Sequence, residues 1–106
     1  MTVPKRTRSR NRLDIMGEIL EITSTKPVLR TQIMYKASLS FLQLKEYLSI
    51  MLELKLLEVI QDEDSNRKAY RITGKGLHVL SSLNEIKTLL GKNKIGELKT
   101  VIQKGR

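Results

Sequence analysis

The chain has 106 residues, enough for one small core plus an arm or an extra helix, and too few for a second independent core. Twenty Lys and Arg against eleven Asp and Glu give a net charge of +9, which favours a polyanion as partner, with an anionic membrane surface or an acidic protein as the other choices. The absence of cysteine excludes disulfides and thiolate metal sites, no apolar run is long enough to span a bilayer, and the basic N-terminus lacks the apolar segment of a secretory signal; the expectation is a soluble, cytoplasmic protein with no membrane partner.

Met1 to Arg12 is polar and basic, with Lys5, Arg6, Arg8, Arg10 and Arg12 and no acid before Asp14, and reads as an arm that is flexible at least to Ser9. From Leu13 to Ile22, Leu13, Met16, Ile19 and Leu20 share a helical face that Ile15 and Ile22 widen, the pattern of a helix buried on much of its circumference. Thr23 to Pro27 ends it. In Thr31 to Ala37 the apolar positions Ile33, Met34 and Ala37 again share a face, Ser38-Leu-Ser40 interrupts the pattern, and Leu39 is placed to plug the core between two helices. Ser40 and Gln43 have the spacing of a capping box, in which each side chain satisfies a backbone N–H that a new helix leaves unpaired. That helix runs through Leu44, Leu48, Met51 and Leu52 to about Leu54.

Leu56 to Gln61 and Lys68 to Ile72 then read as a hairpin around the polar tip Asp62-Glu-Asp-Ser-Asn-Arg67. Thr73 is the expected N-cap of a helix through Leu77, Leu80, Leu83, Ile86 and Leu90. Gly74-Lys-Gly76 lacks the context and spacing of a phosphate loop and reads as a tight entry into this helix. Gly91-Lys-Asn-Lys94 separates it from a last amphipathic stretch with Ile95, Leu98, Val101 and Ile102 on one side.

Helix, turn, longer helix and two strands form the skeleton of a winged helix-turn-helix, in which the second helix offers its first turn and outer face to a major groove. The outer arc here carries Leu42, Gln43, Glu46 and Ser49, with Tyr47 at its flank. Gln43 is the candidate for reading a base edge, because an amide pairs in a bidentate way with adenine, although it also serves as capping partner. Ser40, Lys45 and Tyr47 suit phosphate contacts. In the wing, Asn66, Arg67 and Lys68 can reach the backbone or minor groove, whereas Asp62, Glu63 and Asp64 would be repelled, so one side of the wing is expected to engage. The cations of the arm, Arg6, Arg8, Arg10 and Arg12 among them, would release counterions from nucleic acid, and flexible arginines can enter a minor groove.

Catalysis finds little support. His78, the only histidine, falls inside a helix, where a structural imidazole is the simpler reading, and no cluster has metal-ligand spacing; neither cofactor nor metal is expected. Val79, Leu83, Ile86 and Leu90 follow alternating three- and four-residue steps, the seam of a coiled coil, and give the expected homodimer contact; packing against the first helix of the same chain is the alternative. Phe41 is the only phenylalanine and Trp is absent, which makes RNA or single-strand recognition by stacking less attractive. A protein-interaction scaffold, with Leu42 and Ile50 as exposed anchors, is the main rival to DNA binding.

The blocks Thr31-Gln-Ile-Met-Tyr-Lys-Ala-Ser-Leu-Ser40, Gln43-Leu-Lys-Glu-Tyr-Leu48, Leu56-Leu57 and Tyr70-Arg-Ile-Thr-Gly-Lys-Gly76 together resemble the archaeal winged helix-turn-helix family of small transcription regulators, over about Leu13 to Leu90. The resemblance implies double-stranded DNA binding through the helix that begins near Ser40, assisted by the wing. Some similar archaeal proteins are chromatin-associated and dimerise through a long C-terminal helix, so gene regulation and DNA architecture both follow from it. Two positions depart from the family: Lys55 stands where glycine is frequent, and Leu42 where a polar residue is common. The expected architecture is mainly α with a small β-hairpin: a basic arm over 1–12, a winged helix-turn-helix domain over 13–76, and a C-terminal helical dimerisation segment over 77–106.

Overall fold

A computed structural model describes residues 10–64 and 66–90. The last amphipathic stretch and most of the arm, including Arg6 and Arg8, lie outside the described residues. The elements in chain order are α1 (Arg12–Ile22), β1 (Val28–Leu29), α2 (Arg30–Ala37), α3 (Phe41–Glu53), β2 (Leu57–Gln61), β3 (Lys68–Ile72) and α4 (Gly74–Leu89).

Local hydrogen bonding explains most of the boundaries. Asn11 caps α1: its side chain accepts from the Asp14 N–H at 2.7 Å, and the Asp14 carboxylate accepts from the Asn11 N–H at 3.1 Å. Arg12, assigned to the arm from sequence, is therefore the first residue of a helix. Ser38 closes α2 in the left-handed region (φ 55°), and the Leu39 N–H donates back to the Met34 carbonyl at 3.0 Å, which turns the chain towards α3. Lys55 does the same after α3. With φ 64° it lets the Leu56 N–H donate to the Met51 carbonyl at 2.8 Å, so the position where the resembled family favours glycine is left-handed here as well. Thr73 caps α4 as expected, its hydroxyl accepting from the Gly76 N–H and donating to the Lys55 carbonyl at 2.7 Å.

The wing is part of a three-stranded antiparallel sheet in the order β1-β3-β2, with Val28 and Val59 both opposite Tyr70 and Leu57 opposite Ile72. Sequence alone predicted a two-stranded hairpin, because the two residues of β1 are too few to show alternation. The core is built from Ile15, Ile19 and Leu20 of α1, Ile33 and Ala37 of α2, Leu44, Leu48 and Met51 of α3, and Leu57, Tyr70 and Ile72 of the sheet, with Leu39 buried between α2 and α3. Leu13, placed on the buried face of α1 from its spacing, is exposed, and Ile15 takes the core position. Thr23 is fully buried yet satisfied: its hydroxyl donates to the Ile19 carbonyl at 2.9 Å and its own carbonyl accepts from the Ile72 N–H at 3.2 Å, tying α1 to β3.

The α4 helix divides into two halves. Val79 and Leu80 pack against the core, and Leu83 lies over Gly17 of α1, its Cδ1 3.4 Å from where a Cβ would sit. Two of the four residues expected to form an intermolecular seam, Val79 and Leu83, thus pack within their own chain. Ile86, Leu89 and Leu90 beyond them are exposed.

Candidate nucleic-acid interface

The α3 helix buries Leu44, Tyr47, Leu48 and Met51 and leaves Leu42, Gln43, Lys45, Glu46 and Ser49 facing solvent. Gln43, Lys45, Glu46 and Ser49 are polar, whereas Leu42 is apolar and 72% exposed, beside the half-exposed Phe41. The first turn of the helix is held by the capping box predicted from sequence: the Ser40 hydroxyl accepts from the Gln43 N–H at 3.1 Å, and the Gln43 Oε1 accepts from the Ser40 N–H at 2.9 Å. This restricts Gln43, since a bidentate pair with adenine needs both the oxygen and the nitrogen of the amide. With Oε1 committed to the cap, Nε2 is the atom left to donate outward.

Tyr47 is not at the flank of the outer face. It is 5% exposed, and the guanidinium of Arg12 covers its ring at 5.2 Å, so the phosphate contact expected for it gives way to a core position. Arg12 also comes within 3.5 Å of the Glu46 carboxylate, placing a cation beside the one acid of the outward face. Both groups are well exposed, so this pair contributes little stability; it does offset the repulsion Glu46 would otherwise exert on an approaching anion.

Arg10 leaves the arm as well. Its guanidinium pairs with Glu18 at 2.5 Å and donates to the carbonyls of Ala37 and Ser38 at 2.7 and 3.3 Å. The C-terminal end of α2 carries partial negative charge, so a cation there is favourable, and Arg10 fastens α1 to the turn between α2 and α3. The sequence signal for such a role is absent, because the partner carbonyls lie 27 and 28 residues away.

The wing separates its charges. Arg67 and Lys68, with Leu29, Arg30, Thr31 and Tyr70, line a cleft of about 330 Å³ between the tip end of β3 and the first turn of α2. Asp62, Glu63 and Asp64 line a different cleft of about 300 Å³ with Pro27, Ile60 and Gln61. Asn66 turns the tip in the left-handed region (φ 57°), and its Oδ1 accepts from the Gln61 Nε2 at 2.9 Å, which holds the two strands together at that end. Arg30 continues the basic surface towards α3, its guanidinium lying over the Phe41 ring at 5.5 Å. Arg30, Lys45, Arg67 and Lys68 have no carboxylate partner among the described residues, in contrast to Arg71, which is bonded to Glu58 at 2.8 Å. No group of acidic or histidine side chains among the described residues can hold a metal ion, and His78 is exposed on α4. No helix among the described residues is long and apolar enough to cross a membrane.

A helix-turn-helix with an exposed polar face on its second helix, followed by a hairpin whose cations and acids line separate clefts, defines a class by its architecture. The winged helix-turn-helix family matches residues 9–91, and the chain belongs to it. Sso10a-2, a DNA-binding protein from Sulfolobus solfataricus, is similar in fold, with a TM-score of 0.71 at 21% identity over 90% of this chain and 95% of that one. MepR from S. aureus, solved in complex with DNA, gives 0.65 at 16% identity over 86% and 75%. The PcaV transcriptional regulator from Streptomyces coelicolor, solved with its natural ligand, gives 0.57 at 14% identity over 89% and 70%. No curated protein matches the sequence.

Proposed function

We propose that the chain binds double-stranded DNA as a transcription regulator, with the outward face of α3 in the major groove and the Arg67–Lys68 side of the wing on the adjoining backbone. One observation carries this reading: Arg30, Arg67 and Lys68, which have no carboxylate partner among the described residues, line one cleft at the start of α2, Arg30 reaches from it to Phe41 in the first turn of α3, and the acids of the wing tip line a separate cleft. Nonspecific affinity for a duplex comes from such cations, each phosphate contact releasing counterions. Ser40, at the cap of α3, and Lys45 contact phosphates; Gln43 donates through Nε2 to a base edge or a backbone oxygen. Arg6 and Arg8 add counterion release through the arm, and Asn66 touches the backbone beside the wing. The two similar proteins described as DNA-binding or solved on DNA support the same partner. A homodimer, joined through Ile86 and Leu90, would present two such faces to one duplex.

The test is a titration of duplex DNA, single-stranded DNA and RNA across a range of salt. Duplex binding should be tightest and should fall linearly on a log–log plot, and deletion of residues 1–9 should flatten the slope by about 0.9 for each phosphate that the arm neutralises. A flat salt dependence, or preference for single strands, overturns the reading.

A second reading, a protein-interaction module, is favoured by one feature: Tyr35 at 85%, Leu42 at 72% and the half-exposed Phe41 stand on the helix-turn-helix corner. Leu42→Ser separates the two. Unchanged duplex affinity together with loss of a protein partner supports the module, and weakened duplex binding supports a thymine-methyl contact by Leu42.

A further inference from the structure

The cleft between the start of α2 and the tip end of β3 combines features that DNA reading by α3 does not require. Its floor is Tyr70, a residue only 6% exposed whose hydroxyl has no hydrogen-bond partner among the described residues. On a residue this buried, a hydroxyl that no group of its own chain satisfies is available to a polar group that enters the cleft.

The walls specify the charge of that group. Arg30, Arg67 and Lys68 line it, and none of the three has a carboxylate partner among the described residues. The α2 helix begins at the same cleft, and its start differs from the other three helix starts among the described residues. Asn11, Ser40 and Thr73 each accept a hydrogen bond from an N–H of the helix they cap, whereas Leu29 has no side-chain acceptor to offer. The Gln32 side chain accepts from the Leu29 N–H at 3.1 Å, which secures the entry of the chain but leaves the first N–H groups of α2 facing the cleft without a side-chain cap. An anion with several acceptor oxygens meets all of these demands together: the helix end, the cations and the Tyr70 hydroxyl.

We propose that this cleft is a phosphate-group site in which the start of α2, Arg30, Arg67, Lys68 and the Tyr70 hydroxyl hold one oxyanion. The phosphate comes either from the backbone of a bound duplex, a source that rests on the DNA-binding reading, or from a free phosphate compound, a source that does not. Lys68 and Tyr70 lie on the same face of β3, and Arg71, on the opposite face, is bonded to Glu58 and takes no part.

The experiment has two arms on the full chain. In the first, sodium phosphate is titrated against sodium chloride at matched ionic strength while the amide resonances of Arg30, Thr31 and Tyr70 are followed. In the second, duplex affinity is measured for wild type, Tyr70→Phe, Arg30→Gln and Arg71→Gln, with thermal melts to verify folding. Tyr70→Phe removes only the hydroxyl and should weaken duplex binding about three- to tenfold with an unchanged salt slope. Arg30→Gln should reduce the slope by about 0.9, and Arg71→Gln should match wild type. Phosphate-specific shifts with unaltered duplex binding in the variants support the site with a free phosphate as source. Weaker duplex binding in Tyr70→Phe and Arg30→Gln without phosphate shifts supports the site with the backbone as source. If wild type binds no duplex, the DNA reading fails and the phosphate arm alone decides. The proposal is overturned when phosphate moves these resonances no more than chloride does and neither cleft variant alters duplex affinity.

Discussion

Gly76 lies directly against the main-chain carbonyl of Leu56: a Cβ at position 76 would overlap that oxygen and would also stand 2.7 Å from Cγ1 of Ile72. The same carbonyl accepts the Thr73 N–H at 3.0 Å, and the Thr73 hydroxyl donates to the neighbouring Lys55 carbonyl. The exit from α3 is thus the seat on which the first turn of α4 rests, and only glycine permits the approach. Gly76→Ala should destabilise the fold by roughly 1–3 kcal/mol in denaturant melts, because the obstruction is backbone and not a movable side chain. Wild-type stability would mean that α4 can lift away from this seat without penalty.

Lys55 presents the opposite case, a side chain where glycine would be less strained. Its φ of 64° puts Cβ close to the backbone, while the hydrogen bond it contributes to the α4 cap uses its carbonyl, which glycine keeps. Lys55→Gly should therefore stabilise the protein by about 1 kcal/mol, partly offset by the greater freedom of glycine in the unfolded chain. A lower melting midpoint would show that the Lys55 stem packs usefully.

Gln43 has two roles that a pair of substitutions can separate. Gln43→Glu retains an acceptor for the Ser40 N–H and should leave thermal stability near wild type, yet it places a carboxylate where Nε2 would face the duplex and should weaken DNA binding by about 1–3 kcal/mol. Gln43→Ala should lower stability by about 1 kcal/mol by removing the cap partner. Equal duplex affinity for wild type and Gln43→Glu would remove this residue from the interface and favour an architectural role for the protein.

A test of dimerisation has to spare the residues that α4 uses within its own chain. Because Leu83 lies on Gly17, Leu83→Glu should unfold or loosen the monomer whatever the oligomeric state. Ile86→Glu combined with Leu90→Glu changes only exposed positions, and by sedimentation it should give folded monomers from a dimeric wild type. A double variant that stays dimeric would locate the contact elsewhere.

What the sequence determined by itself is the set of features that act within a few residues. The caps at Ser40 and Thr73 and the plug at Leu39 each depend on hydrogen bonds or spacings inside one or two turns, and each is where the local pattern places it. Net charge, likewise, needs no fold. The tertiary structure decided which faces are covered and which charges are free. Tyr47 packs in the core with Arg12 over its ring, Leu13 gave its place to Ile15, β1 exists only because β3 offers it a partner, and Leu83 turned inward because Gly17 leaves room. Arg10 and Arg67 look equivalent as letters, yet one is bound to Glu18 and the end of α2 while the other lines a cleft with no carboxylate partner among the described residues. That difference is set by elements distant in sequence, since burial and electrostatic pairing depend on which surface arrives opposite a side chain and not on its neighbours along the chain.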